Sequence, residues 1–116
     1  METKLLKILL KPRSKTRVKQ LINYIKKNID QPKFEMAQKG YFWDSVFYES
    51  DQENDYLLIV LKSSDFSNIM LDDSQLVETE FRAFYNQFRK DCWHPSGYKD
   101  LEVLACFNQA MEFGIN

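Results

Sequence analysis

The sequence predicts an α+β fold of the ferredoxin-like type, βαββαβ, in which two helices pack on one face of a four-stranded antiparallel sheet. Three observations support this prediction. The chain has 116 residues, the length of one domain, and 44% of them are hydrophobic, enough to bury a core. Its apolar residues recur with the spacing of strand, helix, strand, strand, helix and strand, in that order. With three Gly and three Pro, no flexible linker divides the chain, so residues 1–116 are predicted to form a single domain.

The first strand and the first helix are predicted at residues 3–11 and 14–28. Alternating apolar residues give the strand one continuous apolar face, and Pro12 ends it because proline donates no hydrogen bond to a ladder. Ser14 is the predicted N-cap of the helix, which ends before Pro32. The helix carries a single apolar stripe: Val18, Leu21, Ile22, Ile25 and Ile29.

The next two strands are predicted to form a hairpin. A short helical turn at residues 33–39 precedes strands at 41–49 and 56–62, which the polar turn 50–54 connects. Both strands are rich in aromatic and β-branched residues, as half-buried strands usually are. Large apolar side chains occupy both faces of this hairpin: Tyr41, Trp43, Leu57 and Val60.

The last third of the chain is predicted to contain a helix and the fourth strand. A short helical piece at residues 66–71 precedes N-cap candidates at 72–74, and the longer helix runs from there to about Cys92. Its apolar stripe is Val77, Phe81, Phe84, Phe88 and Cys92. Residues 93–97 are predicted to be a loop, and residues 101–107 the last strand.

One face of the predicted sheet lacks a cover. Right-handed crossovers place both helices on the same side, yet apolar side chains point to both sides of the hairpin. A large exposed apolar face marks an interaction site. A second copy is the simplest cover, so we expect a homodimer that forms through the sheet face.

The charges of the chain divide unevenly although the net charge is −1. Residues 1–40 carry 11 Lys and Arg against 3 Asp and Glu, a net +8, and residues 41–116 carry 5 against 14, a net −9. A basic helix can bind nucleic acid or an anionic membrane. Here the two helices are expected to lie side by side, so the charges of the two halves neutralise each other. We therefore predict that the chain binds neither nucleic acid nor a membrane.

The compartment predicted for the chain is the cytoplasm. Only two adjacent apolar residues follow Lys4 before Lys7, too few for a secretory signal, and no stretch approaches the ~20 apolar residues of a membrane helix. Cys92 and Cys106 are too few for a disulfide framework and are expected to be reduced thiols.

Motifs for metals, cofactors and nucleic acid are not found in the sequence. His94 is the single histidine, so no set of ligands with zinc spacing exists, and the acidic turn 51–55 lacks the glycine of a calcium loop. No serine lies in a nucleophile elbow and no Gly-rich loop could hold a phosphate. Residues 55–62 lack the octapeptide of RNA-binding sheets. We therefore predict no metal and no cofactor.

An aromatic cluster is the best candidate for a ligand pocket, because aromatic walls with a polar group suit a flat apolar ligand. The predicted pocket residues are Tyr41, Trp43, Asp44, Tyr56 and His94. The alternative, which we favour, is that the aromatic residues form the core and the dimer interface. For His94, a role as general base or haem ligand stands against the commoner role of a histidine that binds carbonyls at a helix end.

Several short stretches resemble the dimeric alpha/beta-barrel superfamily of ferredoxin-like proteins, and within it a small bacterial family of unknown function. These stretches are Leu10-Lys11-Pro12 with Lys15-Thr16, Asp55-Tyr56-Leu57, Ser64-Asp65-Phe66, Asp91-Cys92-Trp93 and Leu101-Glu102-Val103-Leu104. Arg13 stands where the family pattern has glycine, and residues 72–80 lack the expected histidines. The superfamily includes monooxygenases of antibiotic biosynthesis and haem-degrading enzymes, but none of their catalytic residues has a counterpart in this sequence.

Two functions remain open from the sequence. The first is a non-catalytic binding or interaction protein that acts as a homodimer. The second is a small-molecule enzyme, similar to cofactor-independent monooxygenases, that uses the aromatic pocket with His94 or Asp44. A closed cavity beside Trp43, with one of these two groups in its wall, would distinguish the second function from the first.

Overall fold

The computed structural model of the chain describes residues 2–66 and 78–109. It contains an antiparallel sheet of four strands and three helices, which confirms the predicted α+β class. The elements are β1 (Glu2–Leu10), α1 (Lys15–Lys27), α2 (Asp30–Lys39), β2 (Trp43–Ser50), β3 (Asp55–Ser63), α3 (Glu80–Cys92) and β4 (Trp93–Asp100).

The strands lie in the order β2-β3-β1-β4, and each pair of neighbours is antiparallel. Leu5 of β1 lies opposite Val60 of β3, and Phe47 of β2 lies opposite Leu58. The two edges of the sheet are therefore β2 and β4. The predicted hairpin is confirmed, with its turn closed by Asp51, whose carboxylate accepts hydrogen bonds from the backbone N–H groups of Glu53 and Asn54.

The core lies between one face of the sheet and the helices α1 and α3. Alternate residues of β1 and β3 face this layer, as the period of two requires. The predicted stripes of both helices supply the other side, and Phe88 and Cys92 are fully buried there. The buried apolar residues of the described chain are Ile8, Leu10, Val18, Leu21, Leu57, Ile59, Leu61, Phe66, Phe81, Phe88 and Cys92.

The helices begin and end for local reasons. Ser14 is the residue before α1, as predicted, but its hydroxyl donates to the carbonyl of Lys11 at 2.7 Å and does not cap the helix. α2 tolerates Pro32 because its first turn needs no N–H at that position. It ends at Gly40, whose φ of 81° is left-handed, a conformation that glycine adopts without steric cost. The short turn predicted at 33–39 is thus a full helix.

Two predictions about the last third of the chain are wrong. The fourth strand is Trp93–Asp100, part of which was predicted to be a loop, whereas residues 101–107 lie outside the sheet. The strand starts at once after α3 because Trp93 pairs with Leu10 of β1, and the extra residues around Pro95 form an irregular bulge of β4 between Trp93 and Tyr98. α3 begins at Glu80, not near 72–74. The predicted helical piece at 66–71, the N-cap candidates at 72–74 and Val77 lie wholly or mostly outside the described residues.

Ion pairs connect the basic and acidic halves of the chain across the fold. Lys4 binds Asp100 at 3.2 Å, Lys7 binds Glu49 at 2.9 Å, and Arg17 of α1 binds Asp91 of α3 at 2.8 Å. In each pair the cation comes from residues 1–40 and the anion from residues 41–116. Because the partners are partly exposed, each pair contributes only about 0–1 kcal/mol. They show that the two halves face each other, as the sequence predicts.

Candidate functional site

The sheet face opposite the helices, which we call the open face, is an uncovered apolar surface of the described chain. Its centre consists of half-buried aliphatic side chains at alternate positions of β1 and β3, and its outer part consists of two exposed aromatic residues of β2. Trp43 and Phe47 are 51% and 56% exposed. The aliphatic centre is formed by Leu5, Leu9, Leu58 and Val60.

Charged side chains also lie on the open face. The ammonium of Lys62 lies 5.4 Å from the ring centre of Trp43, and that of Lys7 lies 4.3 Å from the ring centre of Tyr56. Lys7 also pairs with Glu49, and the hydrogen bond from Lys7 to Glu49 raises the pKa of Lys7. The open face is therefore apolar around an ion pair that lies within it, since Lys7 stands between Leu5 and Leu9 on β1 and opposite Leu58 on β3.

A second uncovered apolar surface follows β4. Leu101 donates its N–H to Leu5 at 3.0 Å, and after this bond the chain leaves the sheet. Leu104 and Phe107 are 89% and 79% exposed, and Val103 is 45% exposed. We call residues 101–107 the C-terminal segment.

The helix side of β2 carries a group of ionisable residues. Arg82 of α3 is buried, and its guanidinium makes a two-point ion pair with the carboxylate of Glu35 of α2, with Nε 2.6 Å from Oε1. Its remaining nitrogen donates to Asn86 at 3.1 Å. Two parallel N–H···O bonds hold the two helices in register, because the planar fork of arginine fits a carboxylate.

Tyr41 and Asp44 lie beside this ion pair. Burial raises the pKa of Asp44 to about 6, and the negative charge of Glu35 raises it further, while Lys39 opposes the shift. Burial also raises the pKa of Tyr41 well above its ordinary value, and the charges of Asp44 and Glu35 add to this effect. A carboxyl group that titrates near pH 6 can exchange a proton under physiological conditions, as a general base does.

His94 lies on β4, at the opposite edge of the sheet from β2. Its side chain is exposed, and its Nδ1 lies 3.1 Å from the N–H and 3.0 Å from the hydroxyl of Ser96. The imidazole is thus bound to its own strand. It does not cap the end of α3, because that helix continues directly into the strand.

The structure does not bring the five predicted pocket residues together. Tyr41 and Asp44 lie on the helix side, and Trp43 and Tyr56 lie on the open face, each against a lysine. In a continuous strand Tyr41 and Trp43 would share one face of the sheet. They do not, because β2 starts only at Trp43 and the N–H of Tyr41 still bonds to α2. The clefts described below are lined by other residues, and neither Trp43 nor Asp44 nor His94 lies in their walls.

Sequence reasoning missed Glu35 and Arg82. Arg82 directly follows Phe81 of the helix stripe, so its position at the edge of the buried face could have been noticed. No local pattern connects it with Glu35, because the two residues are 47 positions apart. Only the packing of α2 against α3 brings them together.

The clefts of the described chain are shallow and lie away from these residues. One of about 380 Å³ opens beside α3 and is lined by Asn86, Arg89, Lys90 and Trp93. The guanidinium of Arg89 stacks 4.6 Å from the ring centre of Trp93. In the part of the chain that the structure describes, no three His, Cys, Asp or Glu residues come close enough to hold a metal ion. No described helix has the length and apolarity needed to cross a membrane.

Comparison with known proteins gives one match. A family model matches residues 1–111, and its description is that of a family of unknown function. No curated protein and no solved structure matches the chain.

Proposed function

The chain belongs to this family of unknown function, DUF6176, and we propose that it is a non-catalytic interaction protein that acts as a homodimer through its open face. The observation that carries the proposal is the open face itself. One side of the sheet is buried by helices, and the other presents Trp43 and Phe47 to solvent around an aliphatic centre.

A second copy is the occupant that this face fits best. A two-fold axis brings the same surface of two copies together, so the apolar centre of one face meets the apolar centre of the other. Lys7 lies within this face and is paired with Glu49, so its charge would enter the contact already compensated. Burial of apolar area contributes roughly 25 cal/mol per Å², and this is the driving force of the proposed association.

The finer classification of the fold belongs to the same proposal. The order β2-β3-β1-β4, with a helical connection between β1 and β2 and another before β4, is the arrangement that two interleaved βαβ units produce. This order supports the proposal that the chain has a ferredoxin-like fold and that two copies, with their open faces packed together, form a dimeric alpha/beta barrel. We propose the cytoplasm as its compartment, with no nucleic acid and no membrane as partner.

Sedimentation at micromolar concentration tests the proposed homodimer. We expect twice the monomer mass of 13.9 kDa for the native chain and the monomer mass for Phe47→Asp, since a carboxylate in the contact would lose its water. Phe34→Asp is the matched control, because Phe34 is exposed on α2 away from the sheet and this variant should stay dimeric. A native monomer would refute the proposal.

A second candidate function rests on Asp44. A small-molecule enzyme of the cofactor-independent monooxygenase kind needs a base that works near neutral pH, and Asp44 has a pKa of about 6 beside Tyr41. A possible small apolar ligand would bind there. A thermal-shift screen with haem, flavin and quinones tests this function. A shift in the native chain that Asp44→Asn removes would favour it, and the lack of any shift would count against it.

A further inference from the structure

The C-terminal segment has the sequence of a strand but no neighbouring strand. Leu101 still bonds to Leu5 of β1, yet residues 102–107 make no backbone hydrogen bond to any described residue. β1 continues to Glu2, so the antiparallel register could have continued along it. The chain leaves the sheet instead, and among the described residues no strand pairs with the backbone groups of residues 102–107, which leaves them open to water or to a further strand.

The side chains of the segment are those of a strand with apolar residues on both faces. Residues 101, 103, 105 and 107 are all apolar, and the other face carries Leu104 and Cys106 after Glu102. Leu104 and Phe107 are nevertheless among the most exposed large apolar residues of the described chain. A contiguous apolar run of this kind on a soluble protein indicates a binding surface.

The edge of the sheet that could accept another strand is β2. It has eight residues without proline or glycine, and only β3 pairs with it. The other edge, β4, is interrupted by Pro95, which has no N–H, and by Gly97, whose φ is 84°. Irregularities of this kind prevent the addition of a strand, whereas a regular open edge allows it.

The segment cannot add to β2 of its own chain. It leaves the sheet beside β1, and the outer edge of β2 lies beyond both β1 and β3. Neighbouring strands are ~4.8 Å apart, so the segment would have to cross more than about 10 Å of the open face before it could pair. A second copy that packs on the open face brings its own β2 edge close to the segment.

We infer that, in the homodimer, the C-terminal segment of each copy adds as a fifth strand to β2 of the other copy. This inference rests on the proposed function, because it requires two copies. The exchange is symmetric, so each copy gives one strand and receives one. The β2 edge of each copy is then closed. The added strand then covers Trp43 and Phe47 from the outer edge of β2, and the open face of the other copy covers them from above the sheet.

Amide hydrogen exchange tests the inference separately from the proposed function. In the dimeric native chain, we expect the amides of residues 102–107 to exchange at least ten times more slowly than in the monomeric Phe47→Asp variant. A dimer whose residues 102–107 exchange as fast as in that monomer would overturn the strand exchange and leave the homodimer in place. A native chain that is monomeric would overturn both.

Proline substitution provides the second measurement. Adjacent N–H groups of a strand point to opposite sides, so either Leu104→Pro or Ala105→Pro removes a donor to the partner. At least one of the two proline substitutions should raise the Kd of the dimer tenfold or more. When either substitution is added to the Phe47→Asp monomer, the Tm should stay the same, since residues 102–107 make no backbone bonds to described residues within one chain. Ala105→Ser is the control and should keep the native Kd. Unchanged Kd values in both proline variants would refute the inference.

Discussion

At the scale of single residues, the ion pair of Glu35 and Arg82 has the clearest energetic consequence. Both side chains are buried, so neither can exchange its partner for water. Arg82→Met should destabilise the protein by about 3–5 kcal/mol, because it leaves the carboxylate of Glu35 buried without its cation. Chemical denaturation measures this loss.

The double variant Glu35→Leu with Arg82→Met serves as its control. Replacement of a whole buried pair by apolar residues of similar size is often neutral, so most of the lost stability should return. A double variant as unstable as Arg82→Met alone would show that the pair itself is not the cause.

Asp44 gives the protein a pH dependence of a defined sign. Its pKa is about 6 in the folded chain, above its ordinary value of 3.8, so the folded state holds the proton more tightly. Its contribution to stability is present below pH 3.8 and is lost as the pH rises through 6. Asp44→Asn should therefore raise the Tm at pH 7.5 by roughly 1 to 3 °C, since the carboxyl is only partly removed from solvent, which weakens the effect, and leave the Tm at pH 4 nearly unchanged. A lower Tm of the variant at pH 7.5 would contradict this sign.

At the scale of elements, the start of α3 depends on one hydroxyl. Thr79 precedes the helix in an extended conformation, and its side chain accepts a hydrogen bond from the N–H of Arg82 at 3.0 Å. Thr79→Ala should cost about 1 kcal/mol, the usual value of an N-cap. Thr79→Ser keeps the oxygen and should stay within a few tenths of a kcal/mol of the native chain in urea denaturation. Equal losses in both variants would exclude capping as the reason.

The elements also show where periodicity works as evidence. The predicted α1 stripe is confirmed from Val18 to Ile25, whereas its last member, Ile29, lies beyond the end of the helix at Lys27 and is 48% exposed. The apolar alternation of residues 101–107 predicts a strand equally well, yet in the single chain the pairing with β1 begins at Trp93 and ends near Leu101. Alternation reports that a segment can be a strand, and it does not identify the strand that pairs with it.

At the scale of the whole molecule, part of the charge imbalance between the halves is compensated within the fold by pairs such as Arg17 with Asp91. We expect no retention on heparin at roughly 150 mM salt, where exposed charges farther apart than about 8 Å are screened. The double variant Glu49→Lys with Asp91→Lys, which breaks two pairs and adds positive charge, should be retained and is the positive control. Retention of the native chain at that salt concentration would contradict internal neutralisation.

The sequence by itself determined the α+β class, the hairpin, the two amphipathic helices and the two apolar faces of the sheet, because each follows from a local period or a turn. Only the tertiary structure decided that Glu35 meets Arg82, that Asp44 and Trp43 face opposite sides, and that the fourth strand is Trp93–Asp100. These features depend on which distant segments pack together. Which segments pack together depends on the free energy of the whole core, and no single stretch of the sequence contains that information.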